Sequence, residues 1–293
     1  MTETDQLQRL LAAVDKPYAL LDRAYLPLDQ AQVKRTRCLQ WIPLEAQRRG
    51  GKYAYAEWAH VVGIFQGLLH AHLPVAVDAP RVLDVGCGSG LMAIACEPFV
   101  AGGGHYTGLD VSGSQIEFCR NHYPRQGFEF VLHEAGNPFY SPERQAGPLP
   151  WAQADASVDM VTAVSVWTHF REQDARFYLS EVARVLRPGG RALITVFLLD
   201  DAYAARPDSA GSSRFHGTPT ERWCFDQPEG ESGGWFYPAW ADVPEQAIGV
   251  TRAALDALLA ESGLRQLAFY PGNWKERPGA FFQDVLVLEK HHD

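Results

Sequence analysis

The stretch VLDVGCGSG, Val82 to Gly90, decides how the rest of the chain is read. An apolar strand ends in an acid, and glycines then fall at every second position, Gly86, Gly88 and Gly90. A glycine-rich turn between a strand and a helix lets backbone N–H groups approach a nucleotide closely, and the helix N-terminus that follows favours polar ligand groups. A tight turn with no ligand would need no more than this. A dinucleotide site would need G-x-G-x-x-G, whereas the spacing here is G-x-G-x-G. The Gly-Gly-Gly at 102–104 does not complete that fingerprint, because it lies beyond the helix predicted over LMAIACEPFV.

Outward from this turn the pattern alternates. RVLDV, YTGLDV, FEFVLH, SVDMVTAVSV and RALITVFLL read as strands, and LMAIACEPFV, SQIEFCRNHY and ARFYLSEVARVLR as the helices between them. Pro188-Gly189-Gly190 is expected to stop the last of these helices. Strands alternating with helices predict parallel βαβ units with helices on both faces of a sheet. After Leu199 the alternation lapses for about fifty residues rich in Gly, Pro, Ser and aromatics, then resumes with TRAALDALLAESG, LRQLAFY and FQDVLVLEK. The lapse therefore reads as an insertion, 200–249, within one α/β domain spanning 78–293. Before it, residues 1–77 read as a helical N-terminal cap, in which Trp58, Val61, Val62, Phe65, Leu68, Leu69 and Leu73 share a face. The expected architecture is a Rossmann-like, mostly parallel seven-stranded sheet with this cap and an aromatic-rich insertion after strand five.

The chain has 293 residues, 46% of them hydrophobic, and a formal charge of −9, so no global basic footprint for nucleic acid or an anionic membrane is present. Five scattered cysteines without a C-x-x-C argue against a disulfide framework or a structural zinc site. A polar, acidic start and the lack of an apolar run of ~18 residues point to a cytoplasmic protein without a membrane span. No metal site is expected, since His70-x-His72 alone is insufficient.

Three motifs in order, VLDVGCGSG, YTGLDVS with Asp110, and RVLRPGG at 184–190, resemble the class I S-adenosylmethionine-dependent methyltransferases over roughly residues 80–199, and the terminal FQDVLVLEK also fits. The resemblance implies that S-adenosyl-L-methionine is the cofactor, with S-adenosyl-L-homocysteine as its product. It implies that Asp84 helps hold the amino-acid end of the cofactor, that Gly86, Cys87, Gly88 and Gly90 form its loop, and that Asp110 takes the ribose hydroxyls. Val111 and Gln115 would flank the adenine, Glu134 would lie near its amino group, and Ser165 would sit near the cofactor. Cys87 reads as a small turn residue rather than a nucleophile. NPFY, Asn137 to Tyr140, is similar to the tetrad of DNA adenine-amino methyltransferases, but it follows the third strand instead of the fourth and reads better as a turn.

The acceptor side is thinner. SVWTHF, Ser165 to Phe170, follows the fourth strand, where chemistry sits in open α/β sheets. Its His169 is the better-placed general base, since an unperturbed imidazole titrates near neutrality; His216, in the RFHGTP of the insertion, is the second. Trp167, Trp223 and Tyr237 are candidate walls of the acceptor pocket. Six large aromatics between Trp223 and Trp240 must pack on something, either a lid over the acceptor or a core or partner surface. Tyr53, Tyr55 and Trp58 either close over the cofactor or pack the cap. The sequence thus predicts methyl transfer to a small molecule, at the hydroxyl oxygen of a natural product or sugar, with no nucleic-acid or membrane partner and with a homodimer allowed. The alternatives are a protein or RNA methyltransferase and a non-catalytic S-adenosylmethionine-binding protein.

Overall fold

The computed structural model describes residues 24, 37–48, 54–74, 77–140, 143, 147–206 and 211–291. Most of the predicted cap, including Tyr53, lies outside these residues.

The first described α-helix, α1 (Tyr55–His72), buries Trp58, Val61, Val62, Phe65 and Leu69, so the apolar face read from the sequence is its core face. β1 (Arg81–Val85) leads through the glycine turn into α2 (Leu91–Ala101), and β2 (His105–Asp110) leads into α3 (Gly113–His122). β3 (Phe128–Leu132) and the fully buried β4 (Val158–Ala163) follow, then α4 (Glu172–Val185) and β5 (Leu186–Leu199). α4 ends at Val185, before Pro188-Gly189-Gly190, which instead opens β5.

β3, β2, β1, β4 and β5 pair in that order, all parallel. Beyond them β10 (Asp284–Lys290) runs antiparallel to β5, and β9 (Leu264–Tyr270) antiparallel to β10. These seven strands are the predicted sheet. Hydrophobic cores lie on both faces. α4 and α6 (Arg252–Ser262) supply Leu179, Val182, Leu255 and Leu258 to one core. α1, α2 and α3 supply Phe65, Ile94 and Ile116 to the other. Thr251 caps the start of α6 by accepting the Ala254 amide, and Gly263, left-handed at φ 71°, ends it.

The insertion is not irregular. After the four-residue α5 (Asp201–Ala204) come β6 (Gln227–Glu229), β7 (Trp235–Tyr237) and β8 (Gly249–Thr251), which extend the sheet to ten strands. Besides β4, β5 is long enough to serve two further neighbours. Arg191–Val196 pair with β10, and Phe197–Leu199 pair with β8.

Candidate active site

A cavity of about 380 Å³ opens at the carboxyl ends of β1, β2, β3 and β4. Four loops line it: Gly86–Ser89 after β1, Val111–Ser112 after β2, His133–Tyr140 after β3, and Val164–Phe170 after β4. Trp58 of α1 and Asp174 and Tyr178 of α4 also reach it. This is where open α/β sheets place ligands, because strand ends and helix N-termini converge there.

The first loop is shaped by its glycines. Gly86 sits at φ 70°, and a Cβ there would lie 2.5 Å from Cγ2 of Val166, so backbone conformation and close packing both require glycine. The Gly88 amide donates to Oδ2 of Asp110 at 2.8 Å, and the Ser112 amide donates to Oδ1 at 2.8 Å. Asp110 thereby ties the glycine loop to the end of β2. Burial pushes its carboxyl above the usual range, and the amides of Ser112, Gly88 and Val111 hold it partly down. A carboxylate has about four lone-pair sites, so these amides leave it with capacity to accept from a ligand's hydroxyl. Asp84 is fully enclosed. It accepts from the Tyr106 hydroxyl at 2.6 Å and from Thr162 Oγ1 at 2.7 Å. Burial nonetheless pushes its carboxyl up to about 7, and the neighbouring Asp110 adds to the rise.

The loop after β4 is held from beneath. Ser165 takes a left-handed φ of 59°, its amide donates to Thr195 Oγ1 at 2.7 Å, and its hydroxyl donates to Gln283 Oε1 at 2.9 Å. A 3-10 turn over Trp167–His169 then sends successive side chains apart. Trp167 enters the core against Phe170, and His169 faces the cavity. His169 Nδ1 lies 2.8 Å from the Glu245 carbonyl, which can only accept. Nδ1 therefore carries the proton, and Nε2 is left as an acceptor, 3.1 Å from the Tyr140 hydroxyl. Burial lowers the His169 pKa, and the bond to the Glu245 carbonyl opposes this, so the ring is neutral at pH 7. Burial pushes the Tyr140 phenol up to about 12, so it keeps its proton.

Residues 83–194 match a family described as a methyltransferase domain. Over that stretch the chain is similar to the class I S-adenosylmethionine-dependent methyltransferases. It is similar to an O-methyltransferase of Aspergillus nomiae, with 36% identity over 141 residues, 48% of this chain and 56% of that protein. It is also similar to a fatty-acid O-methyltransferase of Mycolicibacterium smegmatis, with 37% identity over 123 residues, 41% of this chain and 38% of that protein. The chain thus spans about half or less of the curated relatives it matches. Among solved structures, geranyl diphosphate C-methyltransferase of Streptomyces coelicolor shares the fold at a TM-score of 0.52 and 15% identity, over 86% of this chain and 90% of that one.

The cavity fits S-adenosylmethionine, the cofactor of that family. Ser89 Oγ, Gln115 Oε1 and Trp151 Nε1 are buried without a hydrogen-bond partner among the described residues, and all three residues line the cavity. Buried polar atoms left in this way are costly unless a ligand satisfies them. Asp84, Gly86, Cys87, Gly88, Asp110, Val111, Gln115 and Ser165 all line the same space. The Cys87 thiol is pushed well up, first by its hydrogen bond with Cys119 and then by burial, so it remains an unreactive thiol.

Other expected site residues lie elsewhere. Gly90 shapes the turn from behind: it caps α2 at φ 88°, and the space beside its Cα is filled by the Tyr123 ring. Glu134 is exposed, because His133 and Ala135 on either side turn inward. Trp167 is core rather than pocket wall. His216 is locked in the insertion, with Nε2 2.9 Å from Glu276 Oε1 and Nδ1 2.7 Å from Thr218 Oγ1. Trp223 packs on Phe197 and Phe282, and Tyr237 lies on β7, paired with Gln227. No described residue of 200–249 lines the cavity. Trp223, Phe225 and Phe236 gather with Phe197 and Trp274 in a separate core, and Trp235 joins the core that α4 and α6 cover. Conversely, Trp58 does reach the cavity while packing α1.

Sequence reading missed Tyr140, His133, Trp151, Asp174 and Tyr178. NPFY is indeed a turn, with Asn137 Oδ1 accepting the amides of Phe139 and Tyr140 at 2.9 and 3.0 Å, yet that turn delivers Tyr140 to His169. Asp174 and Tyr178 stand one helical turn apart on α4, a signal that the sequence carries but does not orient.

Proposed function

We propose that this methyltransferase acts at a hydroxyl oxygen of a small molecule, a natural product or a sugar, with His169 as the general base. The observation that carries this reading is the His169–Tyr140 pair in the cavity: a neutral imidazole with its accepting nitrogen toward a phenol, beside the cofactor loop. Such a pair can take a proton from an acceptor hydroxyl, directly or through the Tyr140 oxygen, without placing a lasting charge on the phenol. Oxygen acceptors benefit from a base, whereas neutral amines need mainly positioning. Relatives named as O-methyltransferases support the same reading.

In this proposal the Gly86–Gly88 backbone and Asp110 hold the nucleoside end of the cofactor, with Gln115 and Val111 beside the base. Asp84 holds the amino-acid end. The bound cofactor supplies a methyl group on a sulfonium. Trp58, Trp151, Phe170 and Tyr178 shield the cavity from water, which would compete with the acceptor. We read residues 78–293 as one catalytic domain of a cytoplasmic enzyme, with 200–249 as an added part of its sheet. The test is incubation with methyl-labelled S-adenosylmethionine and separated small-molecule, protein and RNA fractions of a host extract. Label is expected in a small-molecule peak. Label confined to protein or RNA would overturn the acceptor class, and none in any fraction would overturn the catalytic reading.

A further inference from the structure

The residue that fixes the His169 ring belongs to the insertion. Glu245 sits in a 3-10 turn, Pro244–Gln246, and its backbone carbonyl receives the Nδ1 proton. Its side chain is enclosed at 2% exposure, and burying a carboxylate there is costly unless it is paired. Arg171 supplies the pair. Its Nε donates to Glu245 Oε1 at 2.6 Å, and a second guanidinium nitrogen donates to Oε2 at 3.3 Å. The same guanidinium lies 3.6 Å from Glu229 of β6. Arg171 is two residues after His169, so the clasp joins the loop after β4 to both β6 and the Glu245 turn. A backbone bond from the Ile248 amide to the Thr168 carbonyl, 2.7 Å, docks the same two segments.

We infer that Arg171 and Glu245 are positioning residues: their ion pair holds the Glu245 carbonyl against His169 Nδ1, fixing the tautomer that leaves Nε2 toward Tyr140 and the cavity. The insertion then contributes to the site without touching the acceptor. A two-point fork suits this task better than a single charge contact, because it fixes direction as well as distance. The consequence for turnover rests on the reading of His169 as the base, but the geometry can be tested without it.

The test is long-range proton–nitrogen correlation NMR on protein carrying ¹⁵N-labelled histidine, with His169 identified by the signal lost in His169→Asn. In the wild-type protein at mildly alkaline pH, His169 is expected to show the Nδ1–H tautomer. The double variant Arg171→Gln with Glu245→Gln removes both charges of the fork together, and Glu229 loses its longer 3.6 Å contact with the same guanidinium. It should shift the tautomer ratio by about fivefold or more toward Nε2–H, the worth of one lost or weakened hydrogen bond. S-adenosylhomocysteine binding should stay within about twofold, because no partner of the glycine loop changes. A wild-type Nε2–H tautomer overturns the inference. So does a double variant that binds S-adenosylhomocysteine with an unchanged His169 pattern. If that variant does not fold, Arg171→Lys decides: it keeps the charge but loses the fork, so a partial shift supports the clasp and none overturns it. Absence of methyl transfer in the extract experiment would remove His169's role as base while leaving this result standing, which separates the two failures.

Discussion

Asp84 makes the most demanding prediction. Its carboxylate has two hydroxyl donors, yet enclosure raises its pKa from 3.8 to about 7. Each tenfold change in proton affinity is worth about 1.4 kcal/mol, so ionising Asp84 costs the folded state about 4 kcal/mol relative to the unfolded chain. The sign follows from the direction of the change. The folded state binds this proton more tightly, so its contribution is fully present below the unfolded value near 4 and is lost as pH rises through about 7. Asp84→Asn cannot ionise and can still meet Tyr106 and Thr162 with an amide. Denaturant unfolding of the two proteins at matched pH should therefore show the variant gaining on the wild type as pH rises from about 4 to about 7, by up to about 4 kcal/mol, with no further gain above that. Ionisable groups remote from Asp84 are common to both proteins and cancel in the difference, whereas Asp110, whose charge adds to the rise at Asp84, is part of what the difference reads. Parallel stability curves across the whole range would refute the reasoning, because they would mean that Asp84 is ionised in the fold at no cost.

Three further outcomes follow from the same geometry. His169→Ala should lower turnover by about 10²- to 10⁴-fold while leaving S-adenosylhomocysteine affinity unchanged by calorimetry, and an unchanged rate would remove it from the chemistry. Gly86→Ala, with its Cβ driven to 2.5 Å from Val166 at φ 70°, should cost about 1–3 kcal/mol of stability and weaken cofactor binding at least tenfold, as read by denaturation and calorimetry. His216→Ala should leave kcat within about twofold but lower stability by about 1–3 kcal/mol, since Glu276 and Thr218 lose a buried partner; a large fall in kcat with stability intact would return it to the active site.

What the sequence revealed and what it hid divide by range. The alternation from Arg81 onward, the three glycines, and acids placed at Asp84 and Asp110 are local patterns, and the seven-stranded sheet and the cofactor loop follow from them. The Tyr140–His169 contact joins residues 29 apart through a loop and a 3-10 turn, and no periodicity encodes it. Trp167 and His169 are equally plausible pocket residues until that turn is seen to part them. The insertion's aromatics correctly signal burial, but burial against Phe197 and Trp274 and burial over an acceptor give the same composition. Glu245 carries no local signal, because its backbone carbonyl meets His169 and its carboxylate meets Arg171 only across 74 residues or more of sequence.

The double pairing of β5 also bears on the order in which the chain can be assembled. β5 is complete at Leu199, but β10, the strand that covers Arg191–Val196, begins only at Asp284. During synthesis the most apolar stretch of the sheet, Ala192 to Leu198, waits with one edge open while the insertion, α6 and β9 emerge from the ribosome. β8 arrives earlier, at Gly249, but it pairs with Phe197–Leu199 and with none of the residues that β10 covers. A nascent chain halted before β10 emerges carries a hydrophobic strand edge of the kind that can template pairing with another copy.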